Sequence, residues 1–178
     1  PRLDASELRG FERVSVPLLT AWNQSRLAER LIYAFVRYVS HPWMHAFVRN
    51  RLWISGQEHI RGMQPPRGVL LVSNHRTYWD MYVITSVLET LTGFARRWNY
   101  PVRAPFIYDH PLGLLVNGAV SGGSMWPPMF REFSRQPLNE IGLAQCAFML
   151  GTPGTIVGIH PEGTRNKSPE PLAFLKAK

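Results

Sequence analysis

Two short apolar runs limit most strongly the folds that this chain can adopt. Residues 68–73 read GVLLVS, and residues 155–160 read TIVGIH. Short, continuously apolar runs are typical of strands that are buried on both faces of a parallel sheet. Segments with helical character lie between the two runs. The pattern therefore predicts an α/β domain with a largely parallel sheet that is flanked by helices.

The rest of the chain predicts further elements of this fold. In chain order we expect a strand at 51–55, a helix at 77–97, a strand at 102–108, and helices at 111–117 and 138–150. Residues 118–137 mix Gly, Pro and bulky apolar residues and are expected to be irregular. Few elements follow residue 160 to close the sheet, so we expect the C-terminus to be truncated within the domain.

The N-terminal part of the sequence predicts amphipathic helices. In SRLAERLIYAFVRYVS, Leu27, Leu31, Phe35 and Tyr38 form an apolar stripe at helical spacing. The pair His41-Pro42 predicts the end of this helix, and Pro42 is expected to begin a second one. Helices rich in Arg and Trp are suited to a membrane interface, whereas packing on the domain is the alternative, and both can hold for different faces.

We therefore divide the chain into residues 1–55, expected to form membrane-interface helices, and residues 56–178, expected to form the α/β domain. Twenty Lys and Arg against 12 Asp and Glu give a net charge of +8. This balance favours an anionic partner such as a membrane surface, a nucleic acid or a phosphorylated substrate, with an ordinary basic surface as the alternative. Nothing in the sequence resembles a recognition helix or an aromatic–basic RNA motif, so we expect no nucleic-acid partner.

Cysteine and histidine usage gives little indication of a metal. Cys146 is the single cysteine, which excludes an intramolecular disulfide and a cysteine zinc cluster. His41 and His45 are four residues apart without a carboxylate in helical register, which favours a packing or surface role. No apolar run reaches the roughly 18 residues of a membrane-spanning helix.

The residues that follow the two apolar runs suggest chemistry. Ligands of open α/β sheets bind outside the carboxyl ends of the strands, where NHRTYWD and HPEGTRN are both expected. If His75 lies in a loop before a helix, Asp80 in the first turn can reach its ring. The carboxylate would fix the tautomer and leave the other ring nitrogen as a base. Alternatively, Thr77-x-x-Asp80 is a capping box with only a structural role.

The second segment, PEGTR, suits an anionic ligand. Arg165 is a fork-shaped donor for phosphate or carboxylate, and Gly163 allows close backbone approach. Glu162 could orient Arg165 or hold a substrate hydroxyl. A turn with a Glu162–Arg165 ion pair is the alternative. The sequence has no G-x-S-x-G elbow, so a base at this site would activate a hydroxyl of the substrate.

Together the two segments resemble one family. NHRTYWD resembles the N-H-x(4)-D motif, and HPEGTRN resembles the F-P-E-G-T-R motif, of the glycerolipid acyltransferases. Typical members are bacterial 1-acyl-sn-glycerol-3-phosphate acyltransferases. The resemblance covers roughly residues 56–178, and LAFLKAK is similar to the segment after the second motif. Family members often have N-terminal helices in the membrane interface, and residues 25–53 are similar in character.

The resemblance implies an O-acyltransferase that moves a fatty acyl group from acyl-CoA or acyl carrier protein to a lysophospholipid such as lysophosphatidic acid, in phospholipid synthesis or remodelling. It implies no metal and no cofactor besides the acyl thioester. It also implies a peripheral or monotopic protein on the cytoplasmic face of a bacterial inner membrane. The implied catalytic residues are His75 and Asp80, and backbone amides near the start of the helix would bind the oxyanion. The implied substrate-binding residues are Glu162, Gly163, Thr164 and Arg165.

Two departures from the family pattern concern the site. His160 stands where the family has Phe. Between the motifs the family has an Arg that helps to hold the acceptor phosphate, and Ser124 occupies that position here. Arg131 or Arg135 could substitute; otherwise a lyso-aminolipid or another hydroxyl lipid is a plausible acceptor. A non-catalytic module that binds anionic lipid, and a thioester hydrolase, are the remaining alternatives.

Overall fold

The computed structural model describes residues 7–168 and residue 170, so the segment LAFLKAK lies outside the described residues. The helices are α1 (Glu12–Gln24), α2 (Arg26–Phe35), α3 (His41–Val48), α4 (Asp80–Thr92), the short α5 (Ala104–Ile107), α6 (Pro111–Ser121) and α7 (Gln136–Leu150). The strands are β1 (Val69–Val72), β2 (Arg97–Asn99), β3 (Val102–Arg103), β4 (Pro128–Met129) and β5 (Thr155–Ile159).

The strands form two parallel sheets. The larger has the order β1-β5-β2, and the smaller pairs β3 with β4. Both apolar runs of the sequence are therefore strands, and they are neighbours, with Val72 opposite Ile159 at their carboxyl ends. The predicted α/β fold with a parallel sheet flanked by helices is confirmed.

The core lies on both faces of the larger sheet. Consecutive strand residues point to opposite faces. Ile156 belongs to a buried cluster with side chains of α2, α3 and α4, whereas Val157 belongs to one with side chains of α1 and α7. Gly158 lets α4 approach β5 closely, because a Cβ atom there would lie 2.8 Å from the sulfur of Met81. This close approach fixes the first turn of α4 against the end of the sheet.

The sequence pattern gave no prediction for α1. Pro17 lies inside this helix, where its missing N–H disfavours a helical conformation. Tertiary contacts compensate, because Val16 and Leu19 are buried in the core and the Ser15 hydroxyl donates to the Tyr108 carbonyl at 2.5 Å. The Trp22 indole N–H also donates to the Gly122 carbonyl at 2.9 Å.

The prediction that His41-Pro42 ends the preceding helix was wrong. A π-helical turn, Val36–Ser40, joins α2 to α3, and His41 keeps helical dihedral angles. The His41 N–H bonds to the Val36 carbonyl, five residues earlier. This wider turn accommodates Pro42, which has no N–H to donate, near the start of α3.

Other element boundaries also differ from the predictions. Residues 51–55 form no strand, since a 3-10 turn at Arg49–Arg51 precedes irregular backbone. The predicted strand at 102–108 is reduced to β3 and continues as α5. Helix α4 begins at Asp80 and ends at Thr92, because the following Gly93 has a φ of +63°. Strand β2 follows where the helix was expected to continue.

The N-terminal helices have two apolar faces. Ala28, Ile32 and Val36 are buried on the sheet side, whereas Leu27 is 66% and Tyr38 is 71% exposed. Packing on the domain and an exposed apolar face therefore both occur, on different sides of the same helices. Among the described residues, no helix combines the length and the apolarity needed to cross a bilayer. The division into a membrane-interface part and an α/β domain stays a prediction.

Candidate functional site

The two motif segments meet at one edge of the larger sheet. Because β1 and β5 are parallel neighbours, the residues that follow them emerge side by side, and the Ser73 N–H donates to the Ile159 carbonyl at 3.3 Å. His75 comes from the loop after β1, and His160 comes directly after β5. The sheet thereby assembles one site from segments that lie more than eighty residues apart.

His75 and Asp80 form a hydrogen-bonded pair. The distance from His75 Nδ1 to Asp80 Oδ2 is 3.0 Å, and the side chains are 20% and 14% exposed. An ionised carboxylate only accepts hydrogen bonds, so Nδ1 carries the proton in the neutral ring. The lone pair then lies on Nε2, which leaves that nitrogen able to accept a proton from a hydroxyl.

The Asp80 carboxylate also closes the loop before α4. Its oxygens accept the backbone N–H of Arg76 at 2.6 Å and of Thr77 at 2.8 Å, and the Thr77 hydroxyl at 2.6 Å. Burial alone would raise the pKa of Asp80, but these bonds from Thr77, together with those from His75 and Arg76, lower it. Asp80 therefore stays ionised, and it both caps the loop and orients His75.

The same bonds change the prediction about the oxyanion. The Arg76 and Thr77 amides donate to Asp80, and the Trp79 amide donates to the Thr77 hydroxyl at 3.1 Å. These three amides near the start of α4 are already paired, so the oxyanion site stays a prediction for the other backbone amides near the helix start.

The second motif holds the backbone of His75 from both sides. The buried Glu162 carboxylate accepts the His75 N–H at 2.8 Å. The Asn166 N–H donates to the His75 carbonyl at 2.6 Å. Asn166 is buried as well, although the sequence analysis assigned it no role. Glu162 and Asn166 of the second motif thus hold the candidate base in place through the main chain of His75.

Arginine side chains surround the PEGTR turn. Arg165 is exposed, and its guanidinium carbon lies 4.0 Å from the centre of the Tyr78 ring, so it connects the two motifs. Thr164 beside it is exposed. Gly163 has a φ of +62°, which favours glycine, and its carbonyl accepts a hydrogen bond from Arg103.

Arg103 was not among the residues predicted for the site. Arg103 is the last residue of β3, so it lies at the carboxyl end of a strand. The sequence predicted a longer strand, 102–108, and this position was therefore not recognised. Burial, and then the charge of Arg131, lower the pKa of Arg103. Arg131 follows β4, the neighbour of β3, and is exposed. The two guanidinium groups therefore lie near each other at the carboxyl ends of paired strands, beside the PEGTR turn.

Arg135 does not take part in this cluster. Its guanidinium is buried against the Glu12 carboxylate of α1, with Nη2 at 2.5 Å from Oε2, and it covers the Phe130 ring. The Ser124 side chain is fully buried. Of the two replacements considered for the missing family arginine, the structure leaves Arg131 accessible and uses Arg135 for packing.

His160 covers one face of His75. The ring centres are 4.1 Å apart and the ring planes differ by 13°. Potential ligand atoms of His75, Asp80 and His160 lie within 4.8 Å of one another. Stacked rings keep their in-plane lone pairs in two nearly parallel planes, whereas ligands of one ion must converge on it. The geometry does not favour a shared metal ion.

An apolar groove of about 480 Å³ begins at this site. Its walls are α3, which contributes Trp43, Met44 and Phe47, and the start of α4, which contributes Trp79 and Val83. Its polar end consists of Asn74, Arg76, Thr77 and Asp80, and Arg51 lies along the rim. The site therefore combines a candidate base with a neighbouring apolar groove.

Comparisons with known proteins agree with this chemistry. The model of the family described as Acyltransferase matches residues 51–177, a range that includes both motif segments and the arginine cluster but not the α3 wall of the groove. No curated protein and no solved structure matches the chain at a significant level.

Proposed function

Because the chain belongs to the Acyltransferase family, the glycerolipid acyltransferases, we propose that it moves a fatty acyl group from an acyl thioester to a hydroxyl of a lysophospholipid of the lysophosphatidic acid type. Such a reaction would serve phospholipid synthesis or remodelling. The observation that supports it best is the His75–Asp80 hydrogen bond at the polar end of an apolar groove.

In the proposed reaction, His75 Nε2 takes the proton of the acceptor hydroxyl while that oxygen attacks the thioester carbonyl. Asp80 stabilises the imidazolium that forms. The tetrahedral intermediate then loses the thiolate, which receives the proton from His75. An ester and a free thiol result, and the base returns to its neutral form. No metal and no cofactor besides the acyl thioester takes part in this proposal.

The groove between α3 and α4 is the proposed site of the donor's acyl chain. Its apolar walls stabilise a fatty chain by removing it from water, and its volume lies in the range of small-molecule pockets. Arg51 and Arg76 lie at its edge and suit the phosphates of coenzyme A or of an acyl carrier protein. Both donors remain part of the proposal.

The arginine cluster at the PEGTR turn is the proposed site of the acceptor phosphate. Arg165 and Arg131 are exposed beside Arg103. Glu162 and Gly163 shape the turn, and Thr164 offers a hydroxyl next to Arg165. A cluster of guanidinium groups favours a phosphorylated acceptor over one without phosphate, such as a lyso-aminolipid.

A membrane surface is the proposed setting. Leu27, Leu31 and Tyr38 form an exposed apolar strip on α2 and the π-turn, and Trp43 and Phe47 continue it on α3. This strip suits insertion at the level of lipid headgroups, and Arg30 and Arg49 suit anionic lipid. The proposal extends to the cytoplasmic face of a bacterial inner membrane, where the lysophospholipid would be presented.

Thiol release from a long-chain acyl-CoA tests this function. The assay is run with lysophosphatidic acid, with a lyso-aminolipid and without an acceptor, on the protein, on His75→Ala and on the matched variant His59→Ala. The His59 side chain is 80% exposed, so its removal controls for the loss of a histidine. A parallel set uses acyl carrier protein as the donor.

We expect release that depends on lysophosphatidic acid and that is lost only in His75→Ala. Release that needs the lyso-aminolipid instead would replace the phosphorylated acceptor by a non-phosphorylated one. Release without an acceptor, still lost in His75→Ala, would identify a thioester hydrolase. Absence of thiol release with both donors and all acceptors would overturn the proposed catalytic function and favour a module that only binds lipid.

A further inference from the structure

His160 is held in a defined orientation beside the candidate base. Its Nδ1 lies 3.1 Å from the Ser73 carbonyl oxygen and 3.2 Å from the Ser73 hydroxyl. A carbonyl only accepts, so Nδ1 of the neutral ring carries a proton and donates it to Ser73. Ser73 follows β1 and His160 follows β5, so this bond also joins the two strand ends.

The ring that is fixed in this way lies flat on the His75 ring, with 4.1 Å between the ring centres. Burial lowers the pKa of His160, and the charge of His75 adds to this effect. Hydrogen bonds to the Ser73 and Asn74 backbone and the charge of Asp80 act in the opposite direction but are outweighed. The lowered pKa favours the neutral form of the His160 ring.

We propose that His160 is a positioning residue for His75. When His75 is protonated, its imidazolium lies against the face of the neutral His160 ring. The face of a neutral aromatic ring attracts a cation, most strongly where water is excluded. In the proposed reaction, His75 becomes a cation when it takes the proton of the acceptor. The contact would therefore stabilise the protonated base more than the resting one. This inference rests on the proposed function for its effect on rate.

The test replaces His160 by Leu, which fills the space without an aromatic face, by Gln, which keeps a donor for Ser73, and by Phe, which keeps the ring. We expect kcat to fall about tenfold in His160→Leu and His160→Gln, with KM for both substrates within about threefold, since the contact between the protonated base and the ring face is lost. His160→Phe should retain kcat within about threefold. His59→Leu is the matched control.

An activity-independent measurement accompanies the kinetics. The titration midpoint of the His75 imidazole protons, followed by NMR, should fall by about one pH unit in His160→Leu and His160→Gln but not in His160→Phe, because one unit corresponds to the same tenfold effect. Asp80 and Glu162, which bond to His75, are unchanged in all variants, so a difference in the midpoint between variants is assigned to residue 160.

The two measurements separate the possible failures. An unchanged midpoint in His160→Leu and His160→Gln would overturn the inference whether or not the protein transfers acyl groups. A loss of kcat in His160→Phe equal to that in His160→Leu would overturn it too, because the aromatic face would then be irrelevant. Absence of thiol release in the unsubstituted protein would overturn the proposed function, while the NMR titration still decides the role of His160.

Discussion

At residue 80, one carboxylate receives hydrogen bonds from the His75 ring, from two backbone amides and from the Thr77 hydroxyl. In Asp80→Asn the charge is lost, and the amide group no longer requires a proton on His75 Nδ1. We expect kcat/KM for acyl transfer to fall by about 10² to 10⁴, as for a base whose tautomer is no longer fixed. Steady-state kinetics measures this fall.

Asp109→Asn is the matched control for Asp80→Asn, because the Asp109 carboxylate also accepts a backbone N–H, that of Phe106 at 2.5 Å. It should leave kcat/KM within about twofold, since surface substitutions away from the site have small effects. If Asp80→Asn kept full activity at an unchanged Tm, Asp80 would have the capping role alone.

Arg131 and Arg135 are four residues apart, but their substitution should affect different properties: acceptor binding for Arg131 and stability for Arg135. Arg131→Ala removes an exposed cation, so we expect about a tenfold rise in KM for a phosphorylated acceptor, the size of one lost charged hydrogen bond, with little change in stability. Arg135→Ala leaves the buried Glu12 without its ion partner, so the free energy of unfolding should fall by about 3–5 kcal/mol.

Acceptor kinetics and urea unfolding of both arginine variants provide the measurements. Arg131→Lys, which keeps the charge but not the fork-shaped donor, should recover only part of the affinity. An unchanged KM in Arg131→Ala would remove this residue from the acceptor site. A rise in KM in Arg135→Ala at unchanged stability would show that the buried pair is dispensable.

At the scale of an element, the exposed apolar strip of α2 and α3 should determine binding to membranes. The double substitution Leu27→Glu and Leu31→Glu places charge where an apolar face would enter the headgroup layer. We expect co-sedimentation with vesicles of anionic phospholipid to fall at least about tenfold, since two leucines each lose roughly 1–2 kcal/mol of burial.

Phe148→Glu on α7 is the matched control for vesicle binding, because Phe148 is 78% exposed but lies on a different helix. It should bind vesicles as the unsubstituted protein does. Added salt should weaken binding to anionic vesicles in every variant, because it screens the arginines. Equal binding by the strip variant and the control would assign the membrane contact to another face.

The junction of the π-turn and α3 should make the fold sensitive to acid. His41 is buried edge-on against Trp98, and neither of its ring nitrogens has a hydrogen-bond partner among the described residues. Burial, and then the charge of Arg37, lower the pKa of His41 to about 4. The unfolded chain therefore binds this proton more readily, and stability is lost as the pH falls from about 6.5 towards 4.

Urea unfolding at pH 7 and at pH 4.5 measures the contribution of His41. We expect protonation linked to His41 to lower the free energy of unfolding by roughly 2 kcal/mol at pH 4.5 relative to pH 7. His41→Phe, which keeps a ring against Trp98, should remove that part of the pH dependence, while His59→Phe at an exposed position should not. Identical pH dependence in His41→Phe and the unsubstituted protein would exclude His41 as the cause.

At the scale of the whole molecule, the N-terminal helices and the sheet share one core. Leu8, Val16 and Leu19 belong to the same buried cluster as Val157 of β5. We therefore expect residues 56–178 alone not to fold cooperatively, because removal of α1 to α3 exposes both faces of the sheet. Circular dichroism and limited proteolysis, beside the intact chain, measure this. A cooperative unfolding transition of the shorter chain would support two independent domains.

The sequence by itself determined strands β1 and β5 and placed the two motif segments at their carboxyl ends. Buried parallel strands leave a continuous apolar signal in VLLV and TIVGI, and a histidine five residues before an aspartate has few geometries at a strand end. The α/β fold followed from these local patterns. Helix α7 was also predictable, because its single proline lies in its first turn and the isolated Gly142 does not interrupt it.

Only the tertiary structure decided which of several equivalent residues reach the site. Arg131 and Arg135 were equal candidates on sequence alone, and the burial of Arg135 against Glu12 separated them. The stacking of His160 on His75 depends on the pairing of β1 with β5, across more than eighty residues. Contacts between distant segments arise from the packing of whole elements, so neither local propensity nor spacing along the chain records them.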